Sequence, residues 1–183
     1  LYEINYQPDL LAQSLGTTRR YRIATITPEF KPDPYWWQSF EGIKSGELQL
    51  AQYGIQLTVE HSFFDPYKKN DFQNAALKVL HSQPDAVLIA PAASSLYFYK
   101  DLSKANIPFI LINVSIKDTT PLSFIGQDLF QSGQLAAELI SMGQHPNAAF
   151  AILHFVEDQD NMIHLEEKEQ GFELLFNGKD LNN

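Results

Sequence analysis

The sequence predicts an α/β fold, a parallel sheet flanked by helices on both faces, and three observations carry that expectation. From Tyr21 onward, short runs rich in β-branched and apolar residues alternate with longer amphipathic stretches. That alternation is the signature of βαβ units. The short runs are almost continuously apolar, as strands covered on both faces must be. Finally, the breaks fall at residues that stop helices, such as Gly54 and the Asn106-Ile107-Pro108 step.

Each element follows in turn. A first strand is expected over Tyr21 to Thr27. The helix after it, Tyr35 to Tyr53, carries Trp36, Phe40, Ile43, Leu50 and Tyr53 at helical spacing, and Gly54 stands where a terminating glycine belongs. Ile55 to His61 reads as the second strand and Asp71 to Ser82 as the second helix. Ala86 to Ala90 reads as the third strand and Leu96 to Ala105 as the third helix. Proline restricts its predecessor to extended geometry, so Pro108 closes that helix before the strand Phe109 to Asn113. Ser123 to Gly126 is a fifth strand and Leu129 to Met142 a fourth helix. Ala149 to Phe155 reads as a sixth strand and Leu165 to Phe176 as the last helix. The first five strands are expected in one parallel sheet and the sixth in a second lobe. The first twenty residues differ: Pro8 opens a short helix of Leu10, Leu11 and Leu15, and a basic stretch, Arg19-Arg20-Tyr21-Arg22, follows.

Composition narrows the function classes. At 183 residues and 44% hydrophobic content the chain can bury a true core. It has no cysteine, which excludes disulfide frameworks and thiolate metal sites. A net charge of -9 argues against a nucleic-acid surface spread over the whole domain, because polyanion binding draws on lysine and arginine. Any DNA contact must be local or lie elsewhere. No apolar run approaches the roughly 18 residues needed to span a bilayer, and Leu1 opens into mixed polar sequence rather than a charged-then-apolar signal. A cytoplasmic protein without a membrane partner is expected.

Tyr6 to Leu15, Asp33-Pro34-Tyr35-Trp36, Asn106-Ile107-Pro108, Ile125-Gly126-Gln127-Asp128 and Gly171-Phe172 stand in order and at suitable spacing, and together they resemble segments of the lactose-repressor-type (LacI/GalR) transcription regulators. Tyr6-Gln7-Pro8-Asp9-Leu10-Leu11-Ala12-Gln13-Ser14-Leu15 is similar to the hinge helix that joins their DNA-binding head to a periplasmic-binding-protein-like (type I) core. Asp33-Pro34-Tyr35-Trp36, with Gly42-Ile43 after it, resembles the family's Asn-Pro-Phe-Phe loop and following helix. Asn106-Ile107-Pro108 resembles the Gly-Ile-Pro step into the fourth strand, and Ile125-Gly126-Gln127-Asp128 with Ser132-Gly133 resembles the crossover segment. Gly171-Phe172 resembles the Arg-x-x-Gly-Phe helix of the second lobe. Two positions depart from the pattern: Val114 stands where many members have arginine, and Lys168 stands for the arginine of the Gly-Phe helix.

The resemblance implies a hinge helix and linker over 1–20, the N-terminal lobe of an effector-binding domain over 21–128, and a crossover with the incomplete beginning of the C-terminal lobe over 129–183. It also implies a helix-turn-helix head and most of a second lobe that this chain lacks, hence a truncated chain. The expected partners are a small carbohydrate-like effector, operator DNA through the missing head and the hinge residues Pro8, Leu11 and Leu15, and a second copy in a homodimer. No cofactor is expected.

In open α/β sheets ligands sit outside the carboxyl ends of the strands. After the first strand come Tyr35, Trp36 and Trp37, whose rings suit the C–H faces of a sugar. Trp36 and Phe40 equally suit the core face of a helix, and three successive residues cannot share one face. Asp65, Asn113 and Asp128 follow later strands, and such groups can orient vicinal hydroxyls. Asp65 before Pro66 also suits a turn, which is the simpler reading there, and Asp128 suits an N-cap together with a ligand role. The family position alone adds Lys168. Asn113-Val114-Ser115 fits a glycosylation pattern, but no secretory signal accompanies it.

An enzyme is not expected. The histidines at 61, 81, 145, 154 and 164 show no metal-ligand spacing, and there is no nucleophile elbow, phosphate loop or dinucleotide fingerprint. Glu157-Asp158-Gln159-Asp160 lacks the glycine and closing glutamate of a calcium loop and reads as solvated. Two other functions compete with the regulator. A transport receptor on the same fold is marked by a signal peptide in place of a Pro-led hinge. A catalytic α/β domain is marked by turnover that replacing Asp128 or His154 abolishes.

Overall fold

The computed structural model describes residues 20–30, 34–92, 96–116, 118–145, 148–153 and 163–177. The expected hinge helix with Pro8, Leu11 and Leu15, and the acidic segment 157–160 with His154, lie outside the described residues. Among the described residues ten elements follow in order: β1 Arg20–Pro28, α1 Pro34–Gln52, β2 Gln56–Phe64, α2 Asp71–Ser82, β3 Ala86–Ile89, α3 Leu96–Lys104, β4 Phe109–Ile112, β5 Ser123–Ile125, α4 Leu129–Met142 and α5 Ile163–Asn177. The five strands form one sheet in the order β2-β1-β3-β4-β5, every pair parallel. The parallel sheet read from the apolar runs is therefore present.

Register decides which side chains share a face, because they alternate along each strand. Ala24 pairs with Val87 and Ile26 with Ile89, while Val87 pairs with Phe109 and Ile89 with Leu111. These six residues face α2 and α3 and are buried with Phe72, Ala75, Ala76 and Val79 of α2 and Phe98, Tyr99 and Leu102 of α3. A run of edge-to-face rings, Phe64 to Phe72 at 5.2 Å and Phe72 to Phe98 at 6.0 Å, ties β2 to both helices. Burying such a side chain is worth about 1.5–3 kcal/mol. The opposite face, with Thr25 beside His61, is covered by α1.

Helix ends follow local chemistry. Gly54 takes a φ of 76°, and its amide and that of Ile55 donate to the carbonyls of Ala51 and Leu50 at 3.0 and 3.1 Å. A left-handed residue costs glycine nothing sterically, so α1 stops there. Asn106 does the same for α3 at φ 54°, with the Ile107 amide donating to Leu102 at 2.9 Å. Gln83 ends α2 at φ 47°, directly before Pro84, which cannot continue the helical ladder.

The expected sixth strand is corrected: residues 149–153 are not a strand. A strand exists only through a hydrogen-bonded neighbour, and no strand lies beside this run among the described residues. Instead α4 packs on α5 at a glycine crossing. A Cβ on Gly133 would collide with the carbonyl oxygen of Lys168, and one on Gly171 with that of Phe130. The two glycines bring the backbones together in a reciprocal contact.

Candidate functional site

The carboxyl ends of the strands carry the candidate residues, and the fold brings two of them into contact. Pro34–Gln52 starts on the loop that leaves β1, which puts Tyr35 in the first turn of α1. Asn113 follows β4 directly, in a left-handed conformation at φ 72°. Its amide donates to the Ile125 carbonyl at 2.8 Å and that of Val114 donates back to Ile112 at 2.9 Å, so the chain turns sharply as it leaves the sheet. Asparagine tolerates that region better than other side chains do. Across a sequence separation of 78, the Tyr35 hydroxyl donates to Asn113 Oδ1 at 2.7 Å. That bond bridges the loops after β1 and β4.

Gly126 belongs to the same corner, because a Cβ there would lie 3.0 Å from the Asn113 carbonyl and would collide with the Phe124 ring. The glycine lets the β5 loop close on the β4 loop.

The three successive aromatics part company as helical geometry requires. Tyr35 and Trp36 meet edge to face at 5.2 Å, and Tyr35 is half exposed. Trp37, itself 45% exposed, lies on the rim of a seam with Phe30 at 5.1 Å and Phe40 at 5.5 Å. Phe63 of β2 joins it, 5.3 Å from Phe30. The partner of Phe40 in the packed seam is thus Trp37, at i−3, and Trp36 belongs with Tyr35.

Asp65 and Asp128 act on backbone. Asp65 Oδ1 accepts from the Tyr67 amide at 2.9 Å, a turn of the kind Asp favours before proline. The Asp65 amide in turn donates to Asp71 at 3.0 Å, and Lys68 lies 3.1 Å from the same carboxylate. These two contacts hold the Asp71 carboxyl below its ordinary range, and the Lys68 ammonium is raised in response. Asp128 caps α4, accepting from the Gln131 amide at 2.8 Å. Such a cap contributes about 1 kcal/mol. Lys168 sits on α5 with its carbonyl against Gly133 of α4.

Sequence reasoning passed over His61 except as one of five scattered histidines. It lies at the seam, its Nδ1 3.0 Å from the Thr25 hydroxyl. Burial lowers its pKa from the usual 6.5, against a smaller opposing pull from Glu47. A period-two strand pattern puts His61 on the face of Val59 and Phe63, which is the signal that it faces a helix.

A cavity of about 420 Å³ lies at the opposite, amino end of β1 and β2, lined by Arg20, Gly54 and Gln56 among others. Its position is wrong for a site built on strand carboxyl ends. Among the described residues no three His, Asp or Glu side chains gather as a metal site would require, and no helix is long and apolar enough to cross a membrane.

The sequence profile of the periplasmic binding protein domain matches residues 23–182. No curated protein matches the chain at the sequence level. Solved structures resemble it closely in fold. A candidate LacI transcriptional regulator from Bacteroides fragilis superposes with a TM-score of 0.69 at 25% identity, over 87% of this chain and 56% of that one. A periplasmic ribose ABC transporter protein from Conexibacter woesei gives 0.70 at 18% identity, over 88% and 51%. A carbohydrate transporter solute-binding protein from Chloroflexus aurantiacus, solved with D-glucose, gives 0.71 at 14% identity, over 91% and 47%. The chain thus spans about half the length of the solved proteins it matches.

Proposed function

The chain belongs to the periplasmic binding protein domain family, and from that premise we propose that it forms one wall of a carbohydrate site in a DNA-binding regulator, with no catalytic step. The observation that carries the site is the Tyr35–Asn113 hydrogen bond, which sets a ring pair, Tyr35 half exposed and Trp36 partly buried, beside a polar amide at the carboxyl ends of β1 and β4. Apolar ring faces with a few fixed polar groups are what a sugar needs to be held and oriented. Asp65 and Asp128, already bonded to backbone amides, keep spare acceptor capacity for ligand hydroxyls. Trp36 is the ring placed beside Tyr35 to take the sugar face, while Trp37 supports it from the seam. Lys168 would reach the ligand from the far wall when the second lobe, beginning within 129–183, closes.

The regulator reading draws on the resemblance to LacI-type proteins, including the B. fragilis neighbour. In it, ligand-driven lobe closure alters operator affinity through the hinge at Pro8, Leu11 and Leu15, in a cytoplasmic homodimer. A transport receptor is the second reading, favoured by the sugar-transport proteins that share the fold.

Two measurements on the full-length protein test these readings. First, D-glucose, D-ribose and D-allose should raise the melting temperature. A sugar at 100 times its Kd adds about 2.7 kcal/mol. Asn113→Ala should abolish the shift, and a protein whose melting temperature no sugar moves would end the carbohydrate reading. Second, selection from random DNA should yield a preferred sequence whose affinity the same sugar changes. DNA binding no tighter than nonspecific, with sugar binding intact, would favour the receptor.

A further inference from the structure

His61 stands on the face of β2 that α1 covers. Its ring lies 4.8 Å from that of Phe40 on α1 and stacks within 4° of parallel on Phe63 at 6.0 Å. Nδ1 is 3.0 Å from the hydroxyl of Thr25, which is fully buried on the neighbouring strand. One side chain thus touches all three elements of the seam.

The charges around it are few. Glu47 of α1 acts on it, while fixed by the Val59 amide that donates to Oε1 at 3.3 Å. Glu41 and Lys44 of the same helix are exposed. On this face β1 offers Ile23, Thr25 and Thr27, with the phenol Tyr21 at its start, and β2 offers Leu57, Val59 and Phe63.

We infer that His61 is a positioning residue for the candidate site: as a neutral ring it seats α1 on β1 and β2, and so keeps Tyr35 within reach of Asn113. The path is short and stiff. Phe40, which His61 touches, is five residues from Tyr35 on one helix, about 7.5 Å along its axis. Trp37, between them, is in ring contact with Phe40. A tilt of α1 at Phe40 moves Tyr35 with it, and a hydrogen bond of 2.7 Å is soon lost as its partners separate. Protonation makes both ring nitrogens donors and places a charge among rings and a buried hydroxyl.

The direction with pH follows from the lowered pKa. The unfolded or unseated ring takes a proton near 6.5 and the seated ring only below that. The seated arrangement is therefore at full strength above about pH 6.5 and weakens as the pH falls from there toward the folded value.

The role rests on Tyr35 and Asn113 being the site, but its test needs no ligand. In the full chain, nuclear magnetic resonance from pH 8 to pH 5 would follow the His61 ring, the Trp36 and Trp37 indole N–H groups and the Asn113 side-chain amide. The expected result is one shared midpoint below 6.5, with the indole and amide changes absent in His61→Gln. If that variant does not fold, the shared midpoint in the wild type decides alone. Indole and amide signals that stay still while His61 titrates, or that move unchanged in His61→Gln, would overturn the role. A protein with the shared midpoint but no sugar affinity would remove the carbohydrate reading and leave the coupling. Sugar binding with still signals would do the reverse.

Discussion

Gly171→Ala is expected to destabilise the α4–α5 pair by about 1–2 kcal/mol, the balance of an overpacking penalty in the upper half of the range of about 1–3 kcal/mol and a helix-propensity gain of up to about 1 kcal/mol. The gain would win if the methyl had room. It has none: the added carbon collides with the Phe130 carbonyl oxygen and lies 2.9 Å from its carbon and 3.2 Å from the Gln134 amide nitrogen. All three are backbone atoms of a helix, so no side-chain rotation relieves the contact and the helices must part. Gly42 of α1 provides the control, since a Cβ there meets nothing within 4 Å. Gly42→Ala should stabilise by up to about 1 kcal/mol. Urea unfolding of both variants, with hydrogen exchange to locate the loss in α4 and α5, checks the pair. Stabilisation by both substitutions would show that the crossing is looser than its geometry.

The fold was legible in the sequence because the inner strands of a doubly covered sheet must be apolar on both sides, as β3 and β4 are. Val87, Ile89, Phe109 and Leu111 announce themselves in that way and all are buried. The run Ala149 to Phe155 has the same composition, yet 149–153 is not a strand, because strand formation depends on a partner that composition cannot supply. Site residues were legible as positions and not as contacts. Tyr35 and Asn113 both follow strands, but their pairing depends on β1 and β4 flanking β3, a consequence of sheet order. Which of Trp36 and Trp37 would join Phe40 turned on helix phase, and His61 stayed hidden because an isolated histidine on a strand has no motif. Asp65 and Asp128 were readable to the end, since their turn and cap roles are local.

Leu102→Ala is expected to cost about 3–4 kcal/mol, within the range of about 2–5 kcal/mol for removing a buried leucine's outer carbons. Leu102 is fully buried at the centre of the core, among residues of α3 and the sheet. At nine residues, α3 is shorter than the roughly 12 residues at which an isolated helix becomes even marginal, so docking through Leu102 is what keeps it formed. The cavity cannot collapse easily, because Leu102 also carries the carbonyl that accepts from Ile107, fixing the turn into Pro108 and β4. That strand ends at Asn113, so the loss should reach the candidate site as well as the core. Tyr97 on the same helix is 81% exposed, with Lys100 5.9 Å from its ring centre, and Tyr97→Ala should change stability by no more than about 0.5 kcal/mol. For a chain of this size the leucine variant should melt roughly 10 °C lower, at about 2–4 °C per kcal/mol. Thermal and urea unfolding of the two variants decide the matter, and a Leu102→Ala protein within about 1 kcal/mol of wild type would mean that α3 is held by something other than its buried face.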